Sequence, residues 1–372
     1  MVYSGVKRSF SALCALLLFS FFSFATNVPA AGNNEEASPK EGEKVDINKA
    51  IFEHISDNHN WHLFDLTEKD GSIHPVAMPL PIILVNTKPF SIDVFMSSKF
   101  HHGETPVTRG LKTFVIHEEK IYLTNSNGEL IKNAEGEVTN IKPIDLSITK
   151  NVFSLFLAAI IMLIIFLSCA KAYKRRPGIA PSGLQGFMEP IILFVRDDIV
   201  IPNIGEKKHM KFLPYLLTIF FFIWILNMMG LIPFFPGSAN VTGNIAVTMV
   251  LAVFTLIITN VNGNKNYWKH IFFMPGLPMW LLPIMIVVEL IGIFTKPFAL
   301  MIRLFANITA GHMVVLSLIS LIFIFNTLAI APVSVAFVLF MDVLELFVAA
   351  LQAYIFTMLS ALFIGLAIQE HH

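Results

Sequence analysis

The sequence predicts an all-α polytopic membrane protein with about five membrane helices, the last two forming a long tilted C-terminal hairpin, and a small β-rich extracytoplasmic domain ahead of them. Three observations predict this. The 372 residues are 55% hydrophobic and only 14% charged, against about 25% charged in an ordinary soluble domain. Apolar runs long enough to span a bilayer fall after residue 150, the N-terminal run being short for a span; about 20 residues suffice for each crossing. Basic clusters follow alternate runs, as the bias of lysine and arginine toward the cytoplasmic side requires. Formal net charge is zero, so no basic excess points to nucleic acid.

Residues 1–30 read as a secretory signal: Lys7 and Arg8, an apolar run over 13–24, and Val28-Pro29-Ala30 as a cleavage site. An uncleaved anchor is the alternative. Of the two cysteines, Cys14 leaves with the signal and Cys169 lies in a span, so no intrachain disulfide is expected. Residues 31–150 form the extracytoplasmic N-terminal domain. It opens with a linker-like AGNNEEASPKEGEK and continues with a short amphipathic helix over 47–55. IILV, FSIDVFM, TFVIHEEKIYLT and the turn-like TNSNGE then suggest strands and hairpins. Seven of the twelve histidines lie here, among them His54, His59, His62, His101 and His102. Their spacing matches no tight ligand motif and no cysteine supports one. Neither a metal nor a cofactor is expected.

The membrane domain covers 151–372. Its first span, 152–170, ends in KAYKRR, which marks the cytoplasmic end and agrees with the signal in placing the preceding domain outside. Residues 184–204 are interrupted by Glu189, Arg196, Asp197 and Asp198, and read as an amphipathic element on the inner membrane face. A second span, 212–234, returns outward to the uncharged FPGSANVTG, and a third, 244–262, leads back to Lys265, Lys269 and His270. The last two apolar stretches, 278–325 and 332–368, are each too long to cross upright and must be tilted, kinked or partly in-plane. On this topology the C-terminus is cytoplasmic, in a multi-pass protein of the cell inner membrane.

Those last two stretches hold the intramembrane charges: Glu289, Lys296 and Arg303 in one, Asp342 and Glu345 in the other. Arg303 leads the candidates. An arginine does not shed its proton and is costly in lipid, so it should face a partner charge or a water-filled cavity. A snorkelling arginine is the plainer reading, but apolar sequence continues for several turns on both sides. Asn307 sits one turn further on the same face. Glu289 lies fourteen residues earlier on nearly that face, about 21 Å away, and His312 nine residues later on the opposite face, about 13 Å away. On the final helix Asp342, Glu345 and Gln352 form one polar stripe. His312 and Glu345 are the natural proton-exchanging pair, and structural interhelical hydrogen bonds are the alternative for each residue singly.

RLFANITAGH and ELFVAALQAYIFTMLSAL, with WILNMMGLIPF and NIAVTMVLAVF in the right order and separation before them, resemble subunit a of the F-type ATP synthase membrane sector. The resemblance runs from about residue 184 to the end and takes in none of 31–150. It implies that Arg303 faces the carboxylate of each passing subunit of a c-ring, with Asn307 in support. An external half-channel would be lined by Asn227, Thr248, His312, Glu345 and Gln352, and a cytoplasmic one would include Glu289; Asp342 and Lys296 are lesser candidates. Partners would be the c-ring, the peripheral stalk subunit b, the catalytic head through the complex, and the lipid bilayer. The order of His312 and Glu345 resembles the mitochondrial one, whereas some bacterial members exchange the two residue types. No G-x-x-x-x-G-K-[ST] loop occurs, so nucleotide chemistry is assigned to partners and the chain alone is not an enzyme. A secondary ion transporter or channel is the competing class, although such proteins usually carry repeated halves and none is visible.

Overall fold

The computed structural model describes residues 57–369, apart from 68–72, 88–89, 104, 111, 118–119, 126–127, 132–137, 176, 233–236, 238, 274–279 and 326–329. The expected signal and the helix over 47–55 lie outside the described residues. The chain divides into two compact units, Met1–Ser154 with Ile232–Ala239, and Leu155–Leu231 with Asn240–His372.

The first unit is β-rich. An antiparallel hairpin pairs β1 (Asn60–Thr67) with β2 (Ile73–Pro79). A three-stranded sheet has the order β4-β3-β8, from β3 (Pro81–Thr87), β4 (Phe90–Met96) and β8 (Ile144–Asp145). Another has the order β5-β6-β7, from Val107–Arg109, Lys112–His117 and Lys120–Thr124. A single 3-10 segment, Ser97–Gly103, links the two. Side chains alternate across a strand, and one set of alternating positions from each sheet meets in a common core of Ile82, Leu84, Phe95, Phe100, Val107, Phe114 and Ile121. The Phe95 ring sits 5.6 Å from Phe100 and 6.0 Å from Phe114. The expected TNSNGE turn contains Gly128 at φ 73°, a left-handed conformation that glycine adopts without penalty.

The same unit holds the first turn of the first helix, α1 (Lys150–Arg175). That turn is fastened rather than loosely tethered. Asp57 accepts from the Asn151 amide (3.0 Å) and the Thr149 hydroxyl (2.9 Å), satisfying helix-start donors that would otherwise lack partners. The Asn58 carbonyl accepts from the Lys150 amide, and Trp61 meets Phe153 edge-on at 5.5 Å. Just upstream, the His59 ring pairs with Asp145 at 2.7 Å. Burial pushes the Asp145 carboxyl up, but hydrogen bonds from His59 and Ser147 outweigh it and hold the group below its usual 3.8.

The second unit is helical. After α1 come α2 (Leu184–Phe194), a π-helical turn (Val195–Val200) and α3 (Ile201–Ile204). Then follow α4 (His209–Gly230), α5 (Ile245–Val261), α6 (Lys265–Phe272), α7 (Leu282–Phe325) and α8 (Ala331–Ile368). Among the described residues four helices, α1, α4, α7 and α8, are long and apolar enough to cross a membrane, and α5 with α6 makes a fifth if that pair, bent by 100°, is one span. The chain is thus a multi-pass membrane protein. At 1.5 Å per residue, the 44 residues of α7 and 38 of α8 reach about 66 Å and 57 Å, well beyond the roughly 30 Å of a hydrocarbon core.

One apolar core joins these helices, from Ile199 and Val200 through Leu216, Phe221 and Ile223 to Leu300, Leu304, Ala361 and Ile364. Polar links cross it. Tyr215 of α4 bonds Thr255 of α5 at 3.0 Å, and Thr255 bonds Ser360 of α8 at 3.3 Å. The α8 terminus is clamped: the Ile368 carbonyl accepts from Lys208 Nζ at 3.2 Å and Asn264 Nδ2 at 2.6 Å, and the Asn264 amide donates to Ala367. These bonds satisfy carbonyls that the helix end leaves open. One turn earlier Gly365 meets the backbone carbonyl of Asn203 so closely that a Cβ has no room.

Candidate functional site

Helix α7 presents different chemistry on its two sides. Leu300, Met301 and Leu304 are buried toward the bundle, whereas Arg303, Ala306, Asn307 and Ala310 are exposed. Residues three, four and seven apart share a helical face, so these four form one outward stripe. Arg303 makes no ion pair among the described residues of the chain. Its neighbours there are small side chains and the Asn307 amide, a surface that lets another backbone approach closely.

Nine residues after Arg303 the helix has turned halfway round, and His312 points at α8. Its Nδ1 lies 3.9 Å from Glu345 Oε2, close enough for the charges to interact but beyond direct hydrogen-bond length. Both side chains are largely withdrawn from the surface, at 20% and 13% exposed. The neighbouring Gly311 makes this approach possible, because the Glu345 carboxylate occupies the space a side chain there would fill. Asp342, partly buried, stands one turn before Glu345 on α8.

Further along α8, Ala349 and Ala353 are wholly buried and Gln352 nearly so. These small residues admit α4. Asn227, also buried, donates from Nδ2 to the Ala349 carbonyl at 3.2 Å and accepts from the Thr242 hydroxyl at 2.8 Å. Asn227 therefore reaches the α8 backbone one turn from Glu345. Thr248 is fully buried, and its hydroxyl bonds the Ile245 carbonyl of its own helix at 3.1 Å.

Glu289 and Lys296 occupy the face of α7 that leads to Arg303, at successive seven-residue steps; Glu289 is partly buried and Lys296 exposed. Lys296 Nζ lies 5.8 Å from the centre of the Phe363 ring of α8. It borders a cleft lined also by Thr255, Thr259, Asn260 and Tyr267. Tyr267 of α6 donates to Asn260 Oδ1 at 3.1 Å, which brings the bent end of α5 and α6 to this cleft.

The geometry thus gathers Asn227, His312, Glu345 and Gln352 along the inner stripe of α8 and leaves Arg303 and Asn307 on the outer face of α7. Sequence reasoning did not single out Thr242, which bonds Asn227, or Gly311 as the residue admitting Glu345. The only sequence signal for Thr242 is its place in the polar loop NVTGN, and for Gly311 its adjacency to His312. Among the described residues no cluster of histidine, cysteine, aspartate or glutamate is arranged to hold a metal.

The family described as ATP synthase A chain matches residues 152–365. A separate match to a domain of unknown function, DUF8433, covers residues 50–146. The chain is 49% identical over 235 residues to the ATP synthase subunit a of Chloroherpeton thalassium, spanning 61% of this chain and 69% of that one. Against the subunit of Chlorobium phaeobacteroides strain BS1 it is 51% identical over 231 residues, spanning 60% of this chain and 66% of that relative. Against that of Myxococcus xanthus it is 45% identical over 235 residues, spanning 62% and 75%. With the family match covering more than half of its length, the chain belongs to the ATP synthase A chain family.

Proposed function

We propose that this chain is the stator subunit of a rotary F-type ATP synthase, in which it provides two offset proton half-channels to a c-ring and separates them with Arg303. One observation carries the reading. Arg303 stands exposed on an outward stripe of α7 flanked by Ala306, Asn307 and Ala310, while nine residues on His312 turns inward to Glu345. A fixed cation on an apolar outer face suits a partner that brings a carboxylate to it, and a buried imidazole–carboxylate pair suits proton exchange behind it.

In the proposed mechanism a proton enters from outside along Asn227, Thr248, Gln352, Glu345 and His312 and neutralises a ring carboxylate. Once neutral, that carboxylate can face lipid at small cost. After nearly a full turn it meets the cytoplasmic path, which includes Glu289, and releases the proton. Arg303 stabilises the deprotonated carboxylate and, because it does not deprotonate, blocks direct passage between the paths. Asn307 orients the approach. Asp342 and Lys296 tune the field at the two paths. Nucleotide chemistry belongs to the catalytic head, and subunit b holds the chain against rotation.

The proposed placement is the cell inner membrane, with residues 1–30 as a signal, 31–150 outside and the C-terminus in the cytoplasm. The basic segment ending α1 and the basic residues of α6 support this orientation. The test is ATP-driven acidification of membrane vesicles carrying wild type or Arg303→Ala, with assembly checked on the same preparation. Lost pumping in an assembled complex is expected; undiminished pumping overturns the mechanism and returns the chain to a transporter or channel reading.

A further inference from the structure

The sheet β4-β3-β8 uses only one of its faces for the core. Ile82, Leu84 and Phe95 point inward, while the alternate residues of β4, Phe90, Ile92, Val94 and Met96, are all exposed, Phe90 at 74% and Ile92 at 59%. The register sets Ile92 opposite Val85 and Val85 opposite Ile144, so the apolar face continues across all three strands and on to the exposed Leu146. The one acidic residue of β4, Asp93, is turned to the other face, where it bonds Asn86 and Ser91. β4 is also an edge strand. An uncharged apolar edge in water invites aggregation and usually marks a surface that something covers.

We propose that this face beds into the headgroup–acyl boundary of the same bilayer that α1 crosses. The position of the sheet on the chain favours lipid over a protein partner. Leu146 precedes Lys150, the first residue of α1, by four residues, which at about 3.5 Å per residue allows a separation of at most about 14 Å. Asp57 holds the Asn151 amide, Asn58 holds Lys150, and Trp61 packs on Phe153, so the sheet and the first turn of the membrane helix belong to one compact body. α1 is long and apolar enough to cross a membrane. An apolar, charge-free surface held this near the point where such a helix begins gains by shallow insertion, as amphipathic interfacial elements do. Insertion also shields the β4 edge from pairing with other chains.

The test uses the full chain in vesicles of phosphatidylcholine and phosphatidylglycerol. A bimane label is placed on Ile92→Cys, on Val94→Cys as a second site of the same face, and on Lys120→Cys of the other sheet as a control. Each replaces an exposed side chain, and labelling of the parent chain, whose Cys169 is buried, is subtracted. Lipids carrying a shallow doxyl group should quench positions 92 and 94 several-fold more than position 120, and aqueous iodide should do the reverse. Equal quenching at all three sites overturns the proposal. So does protection of 92 and 94 from both quenchers, and a crosslinker at 92 then identifies a second copy, another segment of this chain or another subunit as the true cover. None of these outcomes depends on proton transport, so the proposal stands or falls apart from the functional reading.

Discussion

The carboxylate of Glu345 fills the space that a side chain on Gly311 would need. This sets where the Glu345 carboxylate can lie against α7, beside His312. Gly311→Ala should force the carboxylate away from His312. ATP-driven proton pumping is expected to fall several-fold while assembly is retained, and the double variant Gly311→Ala/Glu345→Asp, one methylene shorter, should recover part of it. Wild-type pumping by Gly311→Ala would show that this contact does not matter to transport.

Asn227 is buried and tied at both ends of its amide, to Thr242 and to the Ala349 carbonyl. Removing the Thr242 hydroxyl leaves the Asn227 oxygen without that donor, a loss of about 1–3 kcal/mol for a buried acceptor. Thr242→Val should therefore lower the thermal midpoint of the detergent-solubilised protein, and Thr242→Ser should restore it. A midpoint lowered by serine but not by valine would mean that the methyl packing, not the hydrogen bond, matters at this site.

Gly365 packs directly on the backbone of Asn203, where the obstacle is a main-chain carbonyl that cannot rotate aside as a long side chain would. Overpacking of this kind costs about 1–3 kcal/mol. Gly365→Ala should separate α8 from α3, read as faster amide hydrogen exchange in residues 199–205 and in the last two turns of α8. Unchanged exchange in both segments would contradict the close approach.

Acid should act on the first unit through Asp145. Its carboxyl is held below the usual 3.8 in the folded chain by His59 and Ser147. The folded state thus favours the ionised form. The stabilisation is fully present above the unfolded value and is lost as pH falls through the lower folded one. Protection from hydrogen exchange in β3 and β8, relative to the intrinsic rate at each pH, should fall below about pH 4 in the wild type. Asp145→Asn should lower protection at neutral pH and flatten this dependence, and an unaltered acid response in that variant would assign the effect elsewhere.

Much of this organisation was legible because the physical constraints are local. Apolar length gave the membrane helices, and the interruptions between Glu189 and Asp198 marked the α2 region as a poor span. The 3.6-residue period separated Arg303 from His312, and the structure indeed exposes one and turns the other inward. Alternation in FSIDVFM gave β4, but not that its outer residues would lack cover, since alternation names two faces without saying which is wet. Long-range polar closures were out of reach. Thr242 with Asn227 and Lys208 with Ile368 join residues 15 and 160 positions apart, and no periodicity encodes such a meeting. The role of Gly311 depends on where a carboxylate from another helix arrives, which its own sequence neighbours do not encode.

The clamp on Ile368 has a mechanical meaning. α8 is held at its last carbonyls by Lys208 and Asn264 and pressed by Gly365 onto Asn203. Towards its other end, Ser334 bonds the Leu318 carbonyl of α7 and so ties α8 to its own hairpin partner. The hairpin pair is therefore fastened to the rest of the bundle at the C-terminal end of α8. A sideways force on the outer stripe of α7 would pass through the α7–α8 contacts into that C-terminal anchorage.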